Sequence, residues 1–229
     1  MYNKNPHGFG LLSPVSPEGK GKYAGKPIVI LGGSSSVGQN GKVVFFLAIP
    51  TGTPFSNVNF PAIQLAKLSG FSPIITTASL SHAEALKSLG ATHVIDRSVS
   101  ASTLASEVSN ITQNAPIKYA VDSISAAATQ QAAYDLLAPG GQLATFLAVA
   151  AKTTDEKSII PVLGIARLPA NVELLETLYH DNLERLLQEG AIKVSTRSQL
   201  WLFVHANWVT FSQTGLKYCR TALREYLMG

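Results

Sequence analysis

Residues 27–38 read PIVILGGSSSVG. Pro27 to Leu31 is a run of branched apolar residues with no polar alternation. That pattern predicts a strand buried on both faces, as in a parallel sheet. The run stops at Gly32-Gly33, and Ser34-Ser35-Ser36-Val37-Gly38 follow. Glycines let the main chain turn tightly and approach a ligand with no side chain in between. A helix starting next would add free N–H groups and a partial positive charge. Strand, glycine turn and helix start, in that order, make the phosphate site of dinucleotide-binding sheets. By itself the turn also fits a plain strand-to-helix connection, so the residues around it decide.

Downstream, apolar patterns of two kinds alternate. Helical spacing over Ala62 to Leu68 ends at Gly70, and Pro73 to Thr77 reads as a strand. Ser81 to Leu89 is helical and ends at Gly90, and Thr92 to Asp96 is a third strand. A helix over Thr103 to Ile111 leads to a fourth strand, Ile117 to Asp122. A helix over Ala126 to Leu137 and a Pro139-Gly140-Gly141 turn lead to a fifth, Gln142 to Leu147. Repeated strand–helix alternation implies βαβ units, a parallel sheet and right-handed crossovers. The fold expected is α/β, a doubly wound parallel sheet of Rossmann type. Ser158 to Ala166 is a further strand candidate. Asn171 to Glu189 has the clearest amphipathic helical stripe, ending at Gly190.

Composition narrows the class. Hydrophobic residues make up 46% of the 229, enough for a buried core rather than a disordered chain. The net charge of +4 is spread along the chain instead of lining one face, a poor footprint for nucleic acid. Cys219 is the single cysteine, so no internal disulfide can form, which fits a reducing compartment. The start has no apolar signal core. The longest apolar run, Val43 to Ile49, is far short of the roughly 20 residues that span a bilayer. A cytoplasmic protein with no membrane partner is expected.

The end of the second strand bears on cofactor choice. NAD enzymes place an acid there to hold the ribose hydroxyls. Here the residues are Thr76-Thr77-Ala78-Ser79. Ser79 can bond a 2′-phosphate, with His82 and Arg97 expected nearby, which favours NADP(H). An equal reading has Ser79 capping the next helix and His82 solvated in its first turn. Asp96 and Asp122 close strands, where acids serve as turn residues. Ser123 and Ser125 follow the fourth strand at the edge where such sheets bind ligands. No catalytic constellation is visible, and the five histidines lack metal-ligand spacing.

The stretches KYAGKPIVILGGSSSVGQ, AIQLAKLSGF, ALKSLGATHVIDRS, YAVDSIS and LLAPGGQLATF together resemble the cofactor domain of medium-chain dehydrogenase/reductases. The zinc-independent enoyl reductases and quinone-oxidoreductase-like proteins are the nearest group. The resemblance covers Ser16 to Lys193 apart from one insertion. It implies a cofactor site of Gly33, Ser34, Ser35, Ser36, Val37 and Gly38 at the pyrophosphate. It adds Ser79 at a 2′-phosphate and Ser123, after the fourth strand, near the nicotinamide; His82, Arg97 and Leu147 complete the cofactor-site candidates. Hydride would pass from NADPH to an activated double bond or a carbonyl. The resemblance also implies a homodimer through a sheet edge, near Ala144 to Ala148.

Three departures qualify this. The family's N-terminal GroES-like domain, which builds most of the substrate pocket, is missing, and residues 1–26 read as a remnant linker. Catalytic residues therefore cannot be assigned. Residues 41–61 interrupt the passage from turn to helix, and Pro50, Pro54 and Pro61 forbid a continuous helix. Gly41-Lys42 can be encoded as GGTAAG and Pro61-Ala62 as CCAGCN, the marks of a translated intron. Its removal restores VGQNAIQLAKLSGF. Residues 194–229 form an atypical tail whose start can also be encoded as a splice donor. A shifted frame there can read LPNRVEGIPNG, which resembles the family's continuation. A faulty gene model and weak dinucleotide binding by the chain as written are the expectations.

The leading function is thus an NADPH-dependent oxidoreductase cofactor domain, truncated or catalytically incomplete. It would take a small-molecule substrate only when completed by a catalytic domain. The alternative is a non-catalytic nucleotide-binding or scaffold protein on a degenerate version of the fold. A methyltransferase-type use of the fold would require an acid at the end of the second strand, where Ser79 stands.

Overall fold

The computed structural model describes residues 8–34, 62–162, 177 and 181–193. Described residues up to 162 form one compact unit, and those from 177 onward belong to a second.

The first unit holds β1 (Ile28–Leu31), α1 (Ala62–Leu68), β2 (Ile74–Ala78), α2 (Ala83–Leu89) and β3 (His93–Asp96). These are followed by α3 (Ala101–Thr112), β4 (Tyr119–Asp122), α4 (Ala127–Asp135), β5 (Gln142–Thr145) and β6 (Ser158–Pro161). The six strands form one sheet in the order β3-β2-β1-β4-β5-β6, and all neighbours run parallel. This is the doubly wound α/β fold that the alternation predicts.

The strand sequences explain the layering. All four residues of β1 and all five of β2 are buried, as sheets covered on both faces require. Val29, Leu31, Ile75, Ile95 and Leu143 point to one side. There they pack with Leu104 and Val108 of α3 and with Ala133 and Tyr134 of α4. Ile28, Ile30, Ile74 and Thr76 alternate to the other side, and α1 packs on β1 and β2. α3 starts two residues earlier than its apolar spacing suggests, because the Ser100 hydroxyl accepts from the Thr103 N–H at 3.1 Å.

Residues 8–26 pack against the sheet's amino edge. Phe9, Leu11 and Tyr23 are buried. Tyr23 stacks on Phe71 at 4.8 Å between centroids, and both lie edge-on to Tyr119. The Tyr23 hydroxyl accepts from the Leu12 N–H at 3.0 Å.

Two expectations change. The segment near Ala144 to Ala148 is not a sheet edge, because β5 lies between β4 and β6, with Ala144 paired to Val121 and Ile160. Among the described residues the outer strand on that side is β6. The strand candidate at Ser158 to Ala166 is present as β6 through Pro161, and residues 163–166 lie outside the described ones.

In the second unit, α5 (Leu183–Gln188) is the described part of the long amphipathic stretch. Asn182 leaves helical geometry at φ −123°, and its side-chain amide donates to the Thr177 carbonyl at 2.8 Å. The helix predicted over Asn171 to Glu189 is described only from Leu183 onward, because residues 171–176 and 178–180 lie outside the described ones.

Candidate functional site

The sheet order makes β1 the pivot. From β1 the chain runs outward through β2 to β3, then returns to β4 on the other side of β1. At the carboxyl ends of β1 and β4 the connections diverge, and a crevice opens at such a point.

The glycine turn is pinned on both flanks. The Gly32 N–H donates to the Thr77 hydroxyl at 3.0 Å, and the Gly33 N–H to the Thr77 carbonyl at 3.0 Å. On the β4 side the Leu31 carbonyl accepts from the Ser123 N–H at 3.0 Å. Gly33 and Ser123 are thereby held on opposite sides of the end of β1. A Cβ on Gly33 would overlap the Thr76 hydroxyl oxygen and lie 3.1 Å from Ile63 Cδ1. The turn thus lies directly on β2, which explains why glycine is needed at this point. Ile63, one residue into α1, sits beside Gly33 although 29 positions separate them in sequence. Ser34 is half-buried next to it. Ser35, Ser36, Val37 and Gly38 lie outside the described residues.

A second cluster forms at the ends of β2 and β3. The Arg97 N–H donates to the Ala78 carbonyl at 2.9 Å, which brings Arg97 next to Ser79 across the strand ends. Ser79 occupies the position before a single turn of 3-10 helix, Leu80–His82, but its side chain makes no capping bond. Its hydroxyl lies 2.9 Å from that of Ser81. His82 and Arg97 are exposed. Asp96 is occupied locally, its Oδ1 accepting from the Ser98 N–H and hydroxyl at 2.8 and 2.6 Å. Those bonds, with the Arg97 charge, hold its carboxyl below the usual range.

A third cluster closes β4 and β5. Asp122 is fully buried. Its Oδ1 accepts from the Ile124 and Ser125 N–H groups at 2.9 and 3.0 Å, and its Oδ2 from the Thr129 hydroxyl at 2.7 Å. Burial raises its pKa more than these bonds lower it. Both strand-closing acids therefore act as turn residues. Ser125, at φ +57°, donates its hydroxyl to the Asp122 carbonyl and accepts from the Thr145 hydroxyl and Phe146 N–H, each at 2.9 Å. Ile124, Leu147 and Val149 are exposed apolar side chains in the loops after β4 and β5. Leu147 lies two residues beyond β5 rather than within it.

Sequence reasoning missed Gln130. It is fully buried on α4 and bonds backbone groups of two separate loops. No local signal marks it, because the loop carbonyls it serves come from residues 125 and 148.

A family model described as "Zinc-binding dehydrogenase" matches residues 60–171. The match covers just under half of the chain. Together with the parallel sheet order it supports a resemblance to the cofactor-binding domain of medium-chain dehydrogenase/reductases. Solved structures share its fold. CurK enoyl reductase aligns at TM-score 0.53 and 18% identity, over 78% of this chain and 48% of that one. A Pseudomonas syringae pv. Tomato DC3000 quinone oxidoreductase aligns at 0.52 and 23%, over 76% and 48%. A mycobacterial protein solved in complex with NADPH aligns at 0.50 and 20%, over 76% and 50%. The chain spans about half the length of these structures. No curated protein sequence matches it.

The family description names zinc. Among the described residues no group of three or more His, Cys, Asp or Glu side chains is placed to hold a metal ion. Asp122 already has both carboxylate oxygens engaged by hydrogen bonds, and Asp96 its Oδ1. No described helix is long and apolar enough to cross a membrane.

Proposed function

We propose that this chain is the cofactor-binding half of an NADPH-dependent oxidoreductase of the enoyl- or quinone-reductase kind, incomplete without a catalytic domain. The observation that carries the reading is the pinned Gly32-Gly33 turn at the point where the sheet order reverses. There the main chain is bare of side chains and Ser123 is held opposite.

The residues present fit a dinucleotide. Gly33 and Ser34 line the turn where a pyrophosphate would pass. Ser79, with Arg97 beside it and His82 three residues on, replaces the acid of an NAD site with hydroxyl and cationic groups, which suits a 2′-phosphate. Ser123, Ile124 and Leu147 would face the nicotinamide. When bound, the cofactor would supply hydride to an activated double bond or carbonyl. This chain's part is to hold it and present one face.

The family match begins at residue 60, at the very end of the segment that separates turn from helix. This supports reading residues 41–61 as foreign to the domain. Cytoplasmic location and a small-molecule substrate follow from the same reading, as does a homodimer, now through the β6 side. The test is a fluorescence titration of the full chain with NADPH and NADH. One or two charge-assisted hydrogen bonds to the 2′-phosphate are worth about 1.5–3 kcal/mol each, so NADPH should bind at least about tenfold tighter. Arg97→Glu should erase that preference. Equal affinity for the two, or binding of neither, would overturn the proposal.

A further inference from the structure

The loops after β4 and β5 are separate in sequence but share one side chain. Gln130 Nε2 donates to the Ser125 carbonyl at 3.0 Å and to the Ala148 carbonyl at 2.9 Å. Its Oε1 accepts from the Ala150 N–H at 2.8 Å. A primary amide carries two donors and two acceptor sites, and here both donors and the oxygen are used, inside the protein. An apolar residue would suit the interior of α4 better unless loop backbone needed partners, since burying an amide without bonds is costly. The three backbone groups it serves lie outside the strand ladders. Ser125 extends the link. Its hydroxyl joins the Asp122 carbonyl to Thr145 and the Phe146 N–H. The two loops are thus bonded to each other twice, through Gln130 and through Ser125. Between them they expose Ile124, Leu147 and Val149.

We propose that Gln130 is a positioning residue that fastens the β4–α4 loop to the β5–β6 loop, making one ledge for the nicotinamide end of a dinucleotide. The ligand half of this inference rests on the function proposed above, whereas the fastening does not. Gln130 touches no ligand in this account. It acts through Ser125 and Ala148, whose neighbours Ile124 and Leu147 form the rim. A satisfied buried network of this kind fixes geometry, and each member loosens the others when removed.

Amide hydrogen exchange on the full chain tests the fastening. In Gln130→Leu the Ala150 N–H loses its acceptor, so its faster exchange is trivial. The informative amides are those of Ile124 and Ser125, which bond Asp122 and not Gln130. They should exchange about tenfold faster, the factor one net hydrogen bond is worth, while amides of β1, β2 and β3 stay unchanged. Ser125→Gly keeps the positive φ and deletes the hydroxyl. It should speed exchange at Ala150 in return, and it decides the question if Gln130→Leu does not fold. Exchange that rises only at directly bonded amides, or across the whole sheet, would overturn the fastening.

Nicotinamide mononucleotide and adenosine 2′,5′-bisphosphate test the ligand half. Gln130→Leu should weaken the first about tenfold and leave the second unchanged. Equal weakening of both would overturn the ledge as a nicotinamide support. If the wild-type chain binds neither, the proposed function fails, and the exchange data still decide the fastening.

Discussion

Gly33→Ala is the sharpest perturbation the glycine turn allows. The added Cβ would overlap the Thr76 hydroxyl oxygen and lie 3.1 Å from both Thr76 Cβ and Ile63 Cδ1. Thr76 cannot easily yield. It is fully buried, and its hydroxyl donates to the Ile30 carbonyl at 2.7 Å. Either the turn lifts off β2, losing the Gly32 and Gly33 bonds to Thr77, or Thr76 rotates and breaks its own bond. Overpacking costs about 1–3 kcal/mol, and an unmade buried hydrogen bond about 1–3 kcal/mol. A net loss of about 2–4 kcal/mol is expected, a Tm lower by about 5–15 °C for a chain of this size. Urea unfolding followed by circular dichroism measures it. The cause is tested by a double-mutant cycle. Thr76→Ala removes the obstructing oxygen, so Gly33→Ala should cost at least about 1 kcal/mol less in that background. Strict additivity, or a Gly33→Ala variant as stable as wild type, would refute the claim that the turn is seated on Thr76.

Other outcomes follow from the same geometry. Asp122 has a raised pKa in the fold, so its contribution to stability is complete below the unfolded value and lost as pH rises through the folded one. Asp122→Asn should therefore lose less stability than wild type as pH rises above the ordinary carboxylate value of about 4, as read by urea midpoints. Ser98→Ala removes the bond from the Ser98 hydroxyl to Asp96, and carbon-detected titration should show that carboxyl moving up toward its ordinary value. Tyr134→Phe deletes a hydroxyl that accepts from the Thr154 N–H at 2.7 Å. It should cost about 1–2 kcal/mol and speed exchange at Thr154. Deleting residues 41–61, which rejoins Asn40 to Ala62, should tighten NADPH binding at least about tenfold in a fluorescence titration.

The sheet was readable because its strands are short, branched and apolar, and are bounded by glycines or turn residues. PIVIL, HVID and YAVD carry that signal locally, and the alternation with helices dictates parallel pairing. The β1 turn was readable for the same reason, since Gly32-Gly33 interrupts an apolar run. What stayed hidden is non-local. Gln130 looks like a surface residue to any periodicity argument, because the loop carbonyls it serves come from residues 125 and 148. The amino-edge aromatic group draws Phe9, Tyr23, Phe71 and Tyr119 from four separate segments. Nothing in the run Met1 to Lys26, with its glycines and prolines, announces that Phe9, Leu11 and Tyr23 are buried. The sheet edge was misplaced because strand order is a tertiary property. Ser158-Ile159-Ile160 reads as a strand, but only its pairing with Gln142 to Ala144 moves the edge outward.

Nitrogen-15 chemical-shift mapping of the full chain, with and without NADPH, tests the central claim most directly. The account predicts shifts confined to the sheet's carboxyl edge: Gly32 to Ser34, Ser79 to His82, Arg97, Ser123 to Ser125, and Phe146 to Leu147. Shifts centred on Tyr23, Phe71 and Tyr119 at the opposite edge, or none at saturating NADPH, would contradict it.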